Sequence, residues 1–250
     1  MVVALFYFAY LTVLGVARLK ARPAVFALLT LASILVIGMP HVMPLIYLLT
    51  GYWLPGLLVR RPNTTLEQRL LTFDRTLFGA GGLASFASKA PRLVLEYFEL
   101  SYLLCYAVVP AGFVWLVVAG FDEEAGRFWS TVLLASFLCY GLLPWLPTRA
   151  PRALEPQDTG RSSIRMLNLQ VLDRASVQWN TFPSGHTAAS VATALAVGSR
   201  IPLGGVVLGI VAASIALGSV IGRYHYTADA IMGAFVAVLA FVTASVAHGL

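Results

Sequence analysis

The chain has 250 residues, of which 59% are hydrophobic and only 11% carry a charge, and its mean hydropathy is +0.82. Soluble domains carry roughly a quarter charged residues, so this composition excludes an ordinary soluble protein and predicts an all-α polytopic membrane protein. The formal net charge of +6 does not indicate a nucleic-acid partner, because Lys and Arg lie in loops where they contact lipid headgroups. Cys105 and Cys139 fall inside apolar runs. Their position predicts small buried side chains and not a disulfide or a metal-binding pair.

The first 59 residues predict N-terminal membrane helices. Val2 to Ala17 is a short apolar helix candidate, and Pro23 stands at a position suited to the start of the next helix. The run from Ala24 to Trp53 is long for one span, because a spanning helix needs about 20 residues. It predicts either one span plus an interfacial or re-entrant piece, or two short spans, with breaks near Pro40, Pro44 and Pro55.

Residues 60–92 form a polar segment between two apolar regions. Within it, Thr65 to Phe78 alternates apolar and charged side chains at the spacing of an amphipathic helix that lies on the membrane surface. Gly79 to Gly82 ends this helix. Residues 93–250 are the predicted membrane core.

Five apolar runs are the predicted spans of this core, and the total count stays open at six or seven. In the loop of residues 147–182, the stretch from Ile164 to Val177 has helical spacing and is expected to lie across the surface. The spans are Leu93–Gly120, Phe128–Leu146, Ser184–Gly198, Gly204–Ile221 and Tyr226–His248.

Loop charge predicts an orientation. With seven spans and an outside N-terminus, the basic cluster after the first span shares a side with two later loop arginines, and the positive-inside rule makes that side cytoplasmic. The long loop at 147–182 is then expected to face the extracytoplasmic side of a bacterial inner membrane. The residues that define the cytoplasmic side in this scheme are Arg18, Lys20, Arg22, Arg127 and Arg200.

Two histidines are the candidate catalytic residues. His225 and Asp229 are four residues apart and share one face of a helix, so the carboxylate can accept a proton from one ring nitrogen and leave the other free to attack. His186 follows Ser184 and Gly185 at a helix start, where free backbone N–H groups form an anion site. A second imidazole there can supply a proton to a leaving oxygen.

Three arginines complete the constellation. Arg149 and Arg152 precede the second histidine motif, and Arg223 stands two residues before His225. Guanidinium groups suit the charge of a phosphoryl group. Alone, each of these residues has an ordinary structural explanation, but ionisable groups gathered on one face of a membrane protein predict a functional site.

Other polar residues have simpler expectations. Glu96 and Glu99 either line the pocket or make structural hydrogen bonds at the interface. Arg165, in the middle of the loop, is expected to solvate the surface helix. The tyrosines of the Leu93 run form an interfacial and core stripe and not a ligand box, and they are Tyr97, Tyr102 and Tyr106.

Three short motifs resemble the signatures of the type 2 phosphatidic acid phosphatase superfamily. The sequence PTRAPR at 147–152 looks like the first signature, PSGHT at 183–187 like the second and RYHYTAD at 223–229 like the third. The stretch FDRTLFG at 73–79 is similar to the branch related to inositol phosphorylceramide synthases. The resemblance covers about residues 60 to 250.

The resemblance implies a six-helix membrane core, here with one extra N-terminal helix, and phosphoryl transfer without a metal or other cofactor. It implies that His225 attacks phosphorus, that Asp229 orients it, and that His186 protonates the leaving group and then deprotonates water or an alcohol. The residues expected to hold the phosphoryl oxygens are Arg149, Arg152, Arg223, Ser184 and Gly185.

The chain departs from the family pattern at two positions. The third signature usually has an Arg six residues before the nucleophilic His, where this chain has Ser219, and Arg223 is the candidate replacement. The first signature usually begins with an upstream Lys, which leaves Arg149 and Arg152 here. Arg152 is the better candidate, because the sequence resembles the Gly-Pro-Arg form of the synthase-like branch.

The predicted function is a membrane phosphatase acting on a lipid phosphate or polyprenyl diphosphate, with membrane lipids as partners and no nucleic acid. The alternative is a phosphotransferase that moves a phospho-headgroup onto a lipid alcohol. A lipid-binding or transport protein would explain the basic loop but not Asp229. A vanadate-dependent haloperoxidase is remote because of the membrane setting. The lipid headgroup and the oligomeric state stay open.

Overall fold

The computed structural model describes residues 1–36, 43–59, 61–79, 90–155, 162–179 and 181–249. Within these residues the chain is a bundle of α-helices without β-strands, which confirms the predicted all-α class. In chain order the helices are α1 (Val2–Ala17), α2 (Ala21–Val36), α3 (Met43–Trp53), α4 (Thr64–Phe78), α5 (Arg92–Leu103), α6 (Val108–Val118), α7 (Ala125–Leu142), α8 (Pro151–Leu154), α9 (Ser163–Ala175), α10 (Gly185–Gly198), α11 (Pro202–Ile221) and α12 (Thr227–Ala247).

The N-terminal part contains three apolar helices. Helices α1 and α2 pack against each other, and α3 packs against α7. The ring of Tyr7 on α1 stacks on Phe137 of α7 with 4.0 Å between centroids, and its hydroxyl donates to the carbonyl of Gly51 on α3. The prediction of a six-helix core with one additional N-terminal helix stays a prediction, because the helices of the described residues do not fix the number of membrane spans.

The predicted span Leu93–Gly120 is a broken helix. Helices α5 and α6 meet at an angle of 64° across a 3₁₀ turn at Leu104–Tyr106. Pro110 explains the break, because its ring clashes with the carbonyl of Tyr106, four residues earlier, and it has no N–H to donate to that carbonyl. The apolar run therefore bends at a position set by one proline.

Helix length and composition support a membrane location. Among the described residues, α11 and α12 are long and apolar enough to cross a bilayer by themselves, and the α5–α6 pair adds a third crossing when it is counted as one span. The other apolar helices tested are shorter and include α1 and α2. The protein is a helical membrane protein.

Helix α10 lies in the middle of the bundle. It contacts α6, α7, α11 and α12, and its small side chains permit close packing. Gly112 of α6 lies directly under Thr193, and the backbones of Gly198 and Gly205 meet where a Cβ on Gly205 would come within 2.4 Å of the Gly198 Cα. The middle and the end of α10 are therefore packed directly against neighbouring helices.

The basic cluster after α1 lies on the same face of the bundle as the active-site loop. Arg18 donates to the carbonyl of Pro144, just before the first motif, and to the carbonyl of Leu58. The opposite face carries Arg127 and Arg200, both paired with Glu124. The expectation that Arg18 shares a face with these two arginines was wrong, because the end of the segment that contains α3 lies beside Arg18. The loop-charge argument loses this premise, and the side of the membrane that the long loop faces stays a prediction.

Two surface helices lie on the active-site face close to their predicted positions. Helix α4 begins one residue before the predicted amphipathic segment, and α9 covers most of the stretch predicted in the long loop. Gly79 has a φ of 78°, which favours glycine, and it ends α4 as expected. The remaining predicted breakers, at Gly81, Gly82 and Pro40, lie outside the described residues. The boundaries proposed at residues 59 and 92 stay predictions.

Candidate active site

The third motif is a tight connection between α11 and α12. The carbonyl of Ser219 accepts hydrogen bonds from the backbone N–H groups of both Tyr224 and His225, at 2.8 and 3.0 Å. Arg223 has a φ of 61°, in the left-handed region, and this conformation turns the chain back towards the bundle. Ser219, which stands where the family pattern has an arginine, therefore supports the loop through its backbone.

His225 is buried and oriented by two oxygen atoms. Its Nδ1 lies 3.0 Å from the carbonyl of Thr181 and 3.3 Å from Oδ2 of Asp229. A carbonyl oxygen can only accept a hydrogen bond, so Nδ1 carries a proton, and in the neutral ring Nε2 is the nitrogen with the free lone pair. Asp229 is fully buried, and its Oδ2 also accepts the backbone N–H of Tyr226 at 2.9 Å.

His186 faces His225 and is held by aromatic rings. The two imidazole centroids are 6.0 Å apart, at an angle of 85°. Within the described part of the chain the His186 ring makes no hydrogen bond, and three tyrosine rings lie 5.7 to 6.2 Å from it. Packing therefore sets the orientation of this imidazole. The three rings are Tyr52, Tyr102 and Tyr106.

The N-terminus of α10 is closely packed but has open amide groups. The side chain of Ser184 accepts the N–H of Thr187, and the Ser184 N–H donates to the carbonyl of Asp229. A Cβ on Gly185 would come within 2.2 Å of the Tyr140 ring, so only glycine fits there. The N–H groups of Gly185 and His186 belong to the first helical turn, and no acceptor contacts them among the described residues.

The first motif docks beside the two histidines. The N–H of Thr148 donates to the carbonyl of Trp179, and its hydroxyl meets that of Thr181 at 2.5 Å. The N–H of Arg152 donates to the carbonyl of Arg223 at 3.2 Å. These bonds hold the first motif against the loops of the second and third motifs.

Arg152 has an uncommitted guanidinium group. It lies over the face of Tyr224, 5.1 Å from the ring centroid, and makes no ion pair or hydrogen bond to any described residue. Tyr224 in turn stacks on Tyr102 at 4.2 Å. Arg152 lines a small cavity, partly open to the surface, together with His186 and His225.

The other two predicted phosphate-binding arginines are paired with carboxylates. Arg149 forms a two-pronged ion pair with the buried Glu67, whose hydrogen bonds raise the arginine pKa. Arg223 contacts Glu155 at 3.0 Å, while its Nη1 is buried without a partner in the described structure. Burial raises the pKa of Glu155, but the hydrogen bonds from Arg75 and Arg223 outweigh this effect and lower it. Of the three arginines, the structure brings Arg152 to the cavity with a free guanidinium.

Glu99 is the centre of a buried polar network. It accepts hydrogen bonds from Arg165 at 2.7 Å, Asn168 at 2.8 Å and the hydroxyl of Tyr224 at 2.5 Å. Arg165 is thus tied to α5 and does not simply solvate the surface helix as expected. Of the two readings for Glu99, the structural hydrogen bonds are the observed one. Through Tyr224, this network also holds the surface over which Arg152 lies.

Sequence reasoning missed several residues that build the site. Thr181 acts through its backbone carbonyl, and such a role leaves no signal in the side chain. Asp74 accepts the N–H of Thr227 at 3.0 Å, and the amphipathic pattern of α4 indicated only a surface helix. Gly233 lies one turn after Asp229, where a Cβ would come within 2.4 Å of the Ser184 carbonyl. Its spacing from the third motif was the only available clue.

The fold and the site define a helical membrane protein with two facing histidines and an uncommitted arginine at a buried cavity. The family model described as the PAP2 superfamily matches residues 67–243. The chain therefore belongs to the PAP2 superfamily, which confirms the resemblance to the type 2 phosphatidic acid phosphatases. No curated protein and no solved structure matches the chain. Membership supports a phosphatase-type activity in general terms.

Proposed function

We propose that this protein is a membrane phosphatase that hydrolyses a lipid phosphate or polyprenyl diphosphate through a phosphohistidine at His225. The observation that carries the proposal is the environment of the His225 ring. Its Nδ1 is committed to the Thr181 carbonyl and Asp229, so Nε2 is left as a nucleophile. A protein that only binds headgroups has no need for this arrangement.

In the first step, Nε2 of His225 attacks phosphorus and forms a P–N bond while the P–O bond to the lipid breaks. The leaving oxygen takes a proton from protonated His186, whose ring faces His225 at 6.0 Å between centroids. His225 becomes positively charged, and the buried carboxylate of Asp229 stabilises that charge. The products of this step are the phosphorylated enzyme and the lipid alcohol or, from a polyprenyl diphosphate, the polyprenyl monophosphate.

In the second step, neutral His186 takes a proton from water, and the resulting hydroxide attacks phosphorus. The P–N bond breaks, inorganic phosphate forms and both histidines return to their starting states. We assign the phosphoryl oxygens to the Arg152 guanidinium and to the open N–H groups of Gly185 and His186 at the start of α10. Ser184 supports these amides as the helix cap.

Arg149 and Arg223 have supporting parts in this proposal. Arg149 is held by Glu67, so its contribution is to fix the first motif against α4. The unpartnered Nη1 of Arg223 can meet a phosphoryl oxygen once substrate is bound. No step of the mechanism uses a metal ion, and the expectation of a metal-independent reaction stays a prediction.

A phosphotransferase is the second candidate. It shares every named residue, since an alcohol can replace water in the second step. The observation that favours it is the position of Asp74, which belongs to the stretch that resembles the synthase-like branch and accepts the N–H of Thr227 in the third motif.

The test is phosphate release by the purified full-length protein in detergent with EDTA. The substrates are phosphatidate, phosphatidylglycerol phosphate and a polyprenyl diphosphate, each offered with and without candidate lipid alcohols. We expect release from at least one of them, and no detectable release from His225→Ala. His248→Ala is the matched control, since this exposed histidine lies by Ser130 on the opposite face.

Each outcome has a distinct meaning. Release that requires His225 and persists in EDTA supports the phosphatase. A new phospholipid that appears only when an alcohol is added supports the phosphotransferase. Turnover that survives in His225→Ala would overturn the assigned nucleophile. Lipid binding without any turnover would leave the protein as a headgroup-binding protein.

A further inference from the structure

We infer that Tyr52, on α3, is a positioning residue of the active site. Tyr52 lines the cavity that contains Arg152, His186 and His225, although it precedes the segment 67–243 that matches the family model. The N-terminal helices therefore belong to the catalytic unit and do not merely anchor it. The kinetic part of this inference rests on the proposed phosphoryl transfer.

The hydroxyl of Tyr52 ties α3 to the segment that covers the cavity. It accepts the N–H of Val177 at 3.2 Å and lies 2.7 Å from the hydroxyl oxygen of Ser176. Because the hydroxyl accepts from Val177, its own proton is available to Ser176. We call residues 163–177 the strap, since they comprise α9 and the two residues after it, and Leu172, Ser176 and Val177 line the cavity.

Two neighbouring contacts also hold the end of α3 and the turn after it against the strap. The indole of Trp53 donates to the carbonyl of Ala175 at 2.8 Å. Gly56 packs so closely against Val177 that a Cβ would come within 2.7 Å of its Cγ1. The end of α3 and the turn after it thus hold three successive residues of the strap. The other end of the strap is tied to α5 by the hydrogen bonds of Glu99 to Arg165 and Asn168.

The ring of Tyr52 has a separate role. It lies 6.2 Å from the His186 ring and packs edge-on against Tyr140 at 5.3 Å. Since no hydrogen bond within the described residues holds the His186 imidazole, aromatic packing decides its orientation. Tyr52 is the part of this packing that the N-terminal helices supply. Its hydroxyl therefore positions the strap, and its ring positions the proton donor.

Because the hydroxyl and the ring of Tyr52 have different roles, we expect Tyr52→Phe and Tyr52→Leu to change KM and kcat differently. Tyr52→Phe loses the strap contact but keeps the ring, so we expect KM to rise about 3- to 10-fold with kcat within about twofold. Tyr52→Leu also loses the ring, so we expect kcat to fall about 10-fold or more in addition, because a misplaced imidazole transfers protons poorly. Turnover of the lipid phosphate by purified full-length variants measures both.

Tyr47→Leu is the matched control. Tyr47 is on the same helix and is fully buried, but it packs on Phe8 away from the cavity, and its hydroxyl has no partner among the described residues. We expect this variant to lower the yield of folded protein and to leave kcat and KM of the folded fraction near wild type. If it matched Tyr52→Leu in both constants, the effect would be general destabilisation and the inference would be overturned.

A second measurement needs no turnover. Arg174 is exposed near the end of the strap, so trypsin cleavage after Arg174 reports how often the strap opens. We expect both Tyr52 variants to be cleaved several-fold faster than wild type and Tyr47→Leu to be cleaved at the wild-type rate. Unchanged cleavage in both Tyr52 variants would overturn the strap contact. Since the cleavage assay does not depend on turnover, this conclusion holds even if the wild-type protein shows no activity and the proposed function fails.

Discussion

Two helix N-termini meet at the active site, and their hydrogen-bond donors are in opposite states. At the start of α12, Asp229 accepts the N–H of Tyr226, and Asp74 accepts that of Thr227. At the start of α10, the N–H groups of Gly185 and His186 have no acceptor among the described residues. Carboxylates fill the positive end of α12, whereas the positive end of α10 is free for an anion.

Because their donors are in opposite states, the two helix starts have different tasks: the start of α12 orients a side chain, and the start of α10 can bind an anion. The filled end keeps the loop before α12 rigid, so His225 presents one nitrogen in one orientation. The open end can receive the charge that the substrate brings. Gly233 of α12 allows the two ends to touch at Ser184, which brings the start of α12 close to the open amides. Four predictions test this division of labour.

The largest effect is expected at the open end. His186→Ala removes the proposed proton donor, and we expect kcat to fall by about 10³-fold, which corresponds to about 4 kcal/mol of lost transition-state stabilisation. Steady-state turnover of the substrate found for wild type measures this loss. Thermal unfolding checks that the variant folds. A loss below about tenfold in folded protein would show that His186 is not the general acid.

A smaller loss is expected when the filled end is weakened at Asp229. Asp229→Asn keeps an acceptor for the Tyr226 N–H but removes the charge that stabilises a positive His225. Because the Thr181 carbonyl still accepts from Nδ1, the tautomer is retained, and we expect kcat to fall about 10- to 100-fold and not further. Single-turnover kinetics measures the step. A complete loss would mean that the Thr181 contact does not hold the tautomer.

The paired and unpaired arginines should respond differently to the same change. Arg152→Lys replaces the uncommitted guanidinium at the cavity, and we expect kcat/KM to fall about tenfold. Arg149→Lys alters an ion pair with Glu67 outside the cavity, and we expect a loss of about threefold or less. Parallel kcat/KM measurements compare the two. Equal losses would remove the distinction between them.

The smallest effect is expected at Asp74, which caps α12 from another helix. Asp74→Ala leaves the Thr227 N–H without its acceptor and should cost about 1 kcal/mol of stability, as helix caps usually do, with activity reduced only a few-fold. Denaturant unfolding of the full chain measures the cost. Arg69→Ala on the exposed side of α4 is the control and should be neutral. A stability equal to that of the control would show that the contact does not cap α12.

Much of the site was predictable because its chemistry is local in sequence. His225 and Asp229 are one helical turn apart, and Ser184 caps the helix that carries His186, so both pairs follow from spacing alone. The long apolar runs predicted the bundle for a similar reason, because burial in lipid requires continuous apolar stretches. The motifs then indicated the family.

Other features depend on contacts between segments that are far apart in the chain. Three arginines looked equivalent in sequence, but only the fold pairs Arg149 with Glu67, 82 residues away, and Arg223 with Glu155. The face of the bundle on which Arg18 lies also depended on how many helices fit between residues 24 and 58, where charge and hydropathy allowed more than one arrangement. Local patterns do not contain this information.

The sequence by itself determined the membrane setting, the helical class, the two histidines and the family, because each follows from composition or from residues within a few positions of each other. Only the tertiary structure decided that, among the described residues, the Arg152 guanidinium has no ion-pair partner and the start of α12 is filled while that of α10 is open. It also decided that Tyr52 reaches the cavity. These features arise from long-range packing and hydrogen bonding, in which each group's state depends on the partner that the fold brings to it.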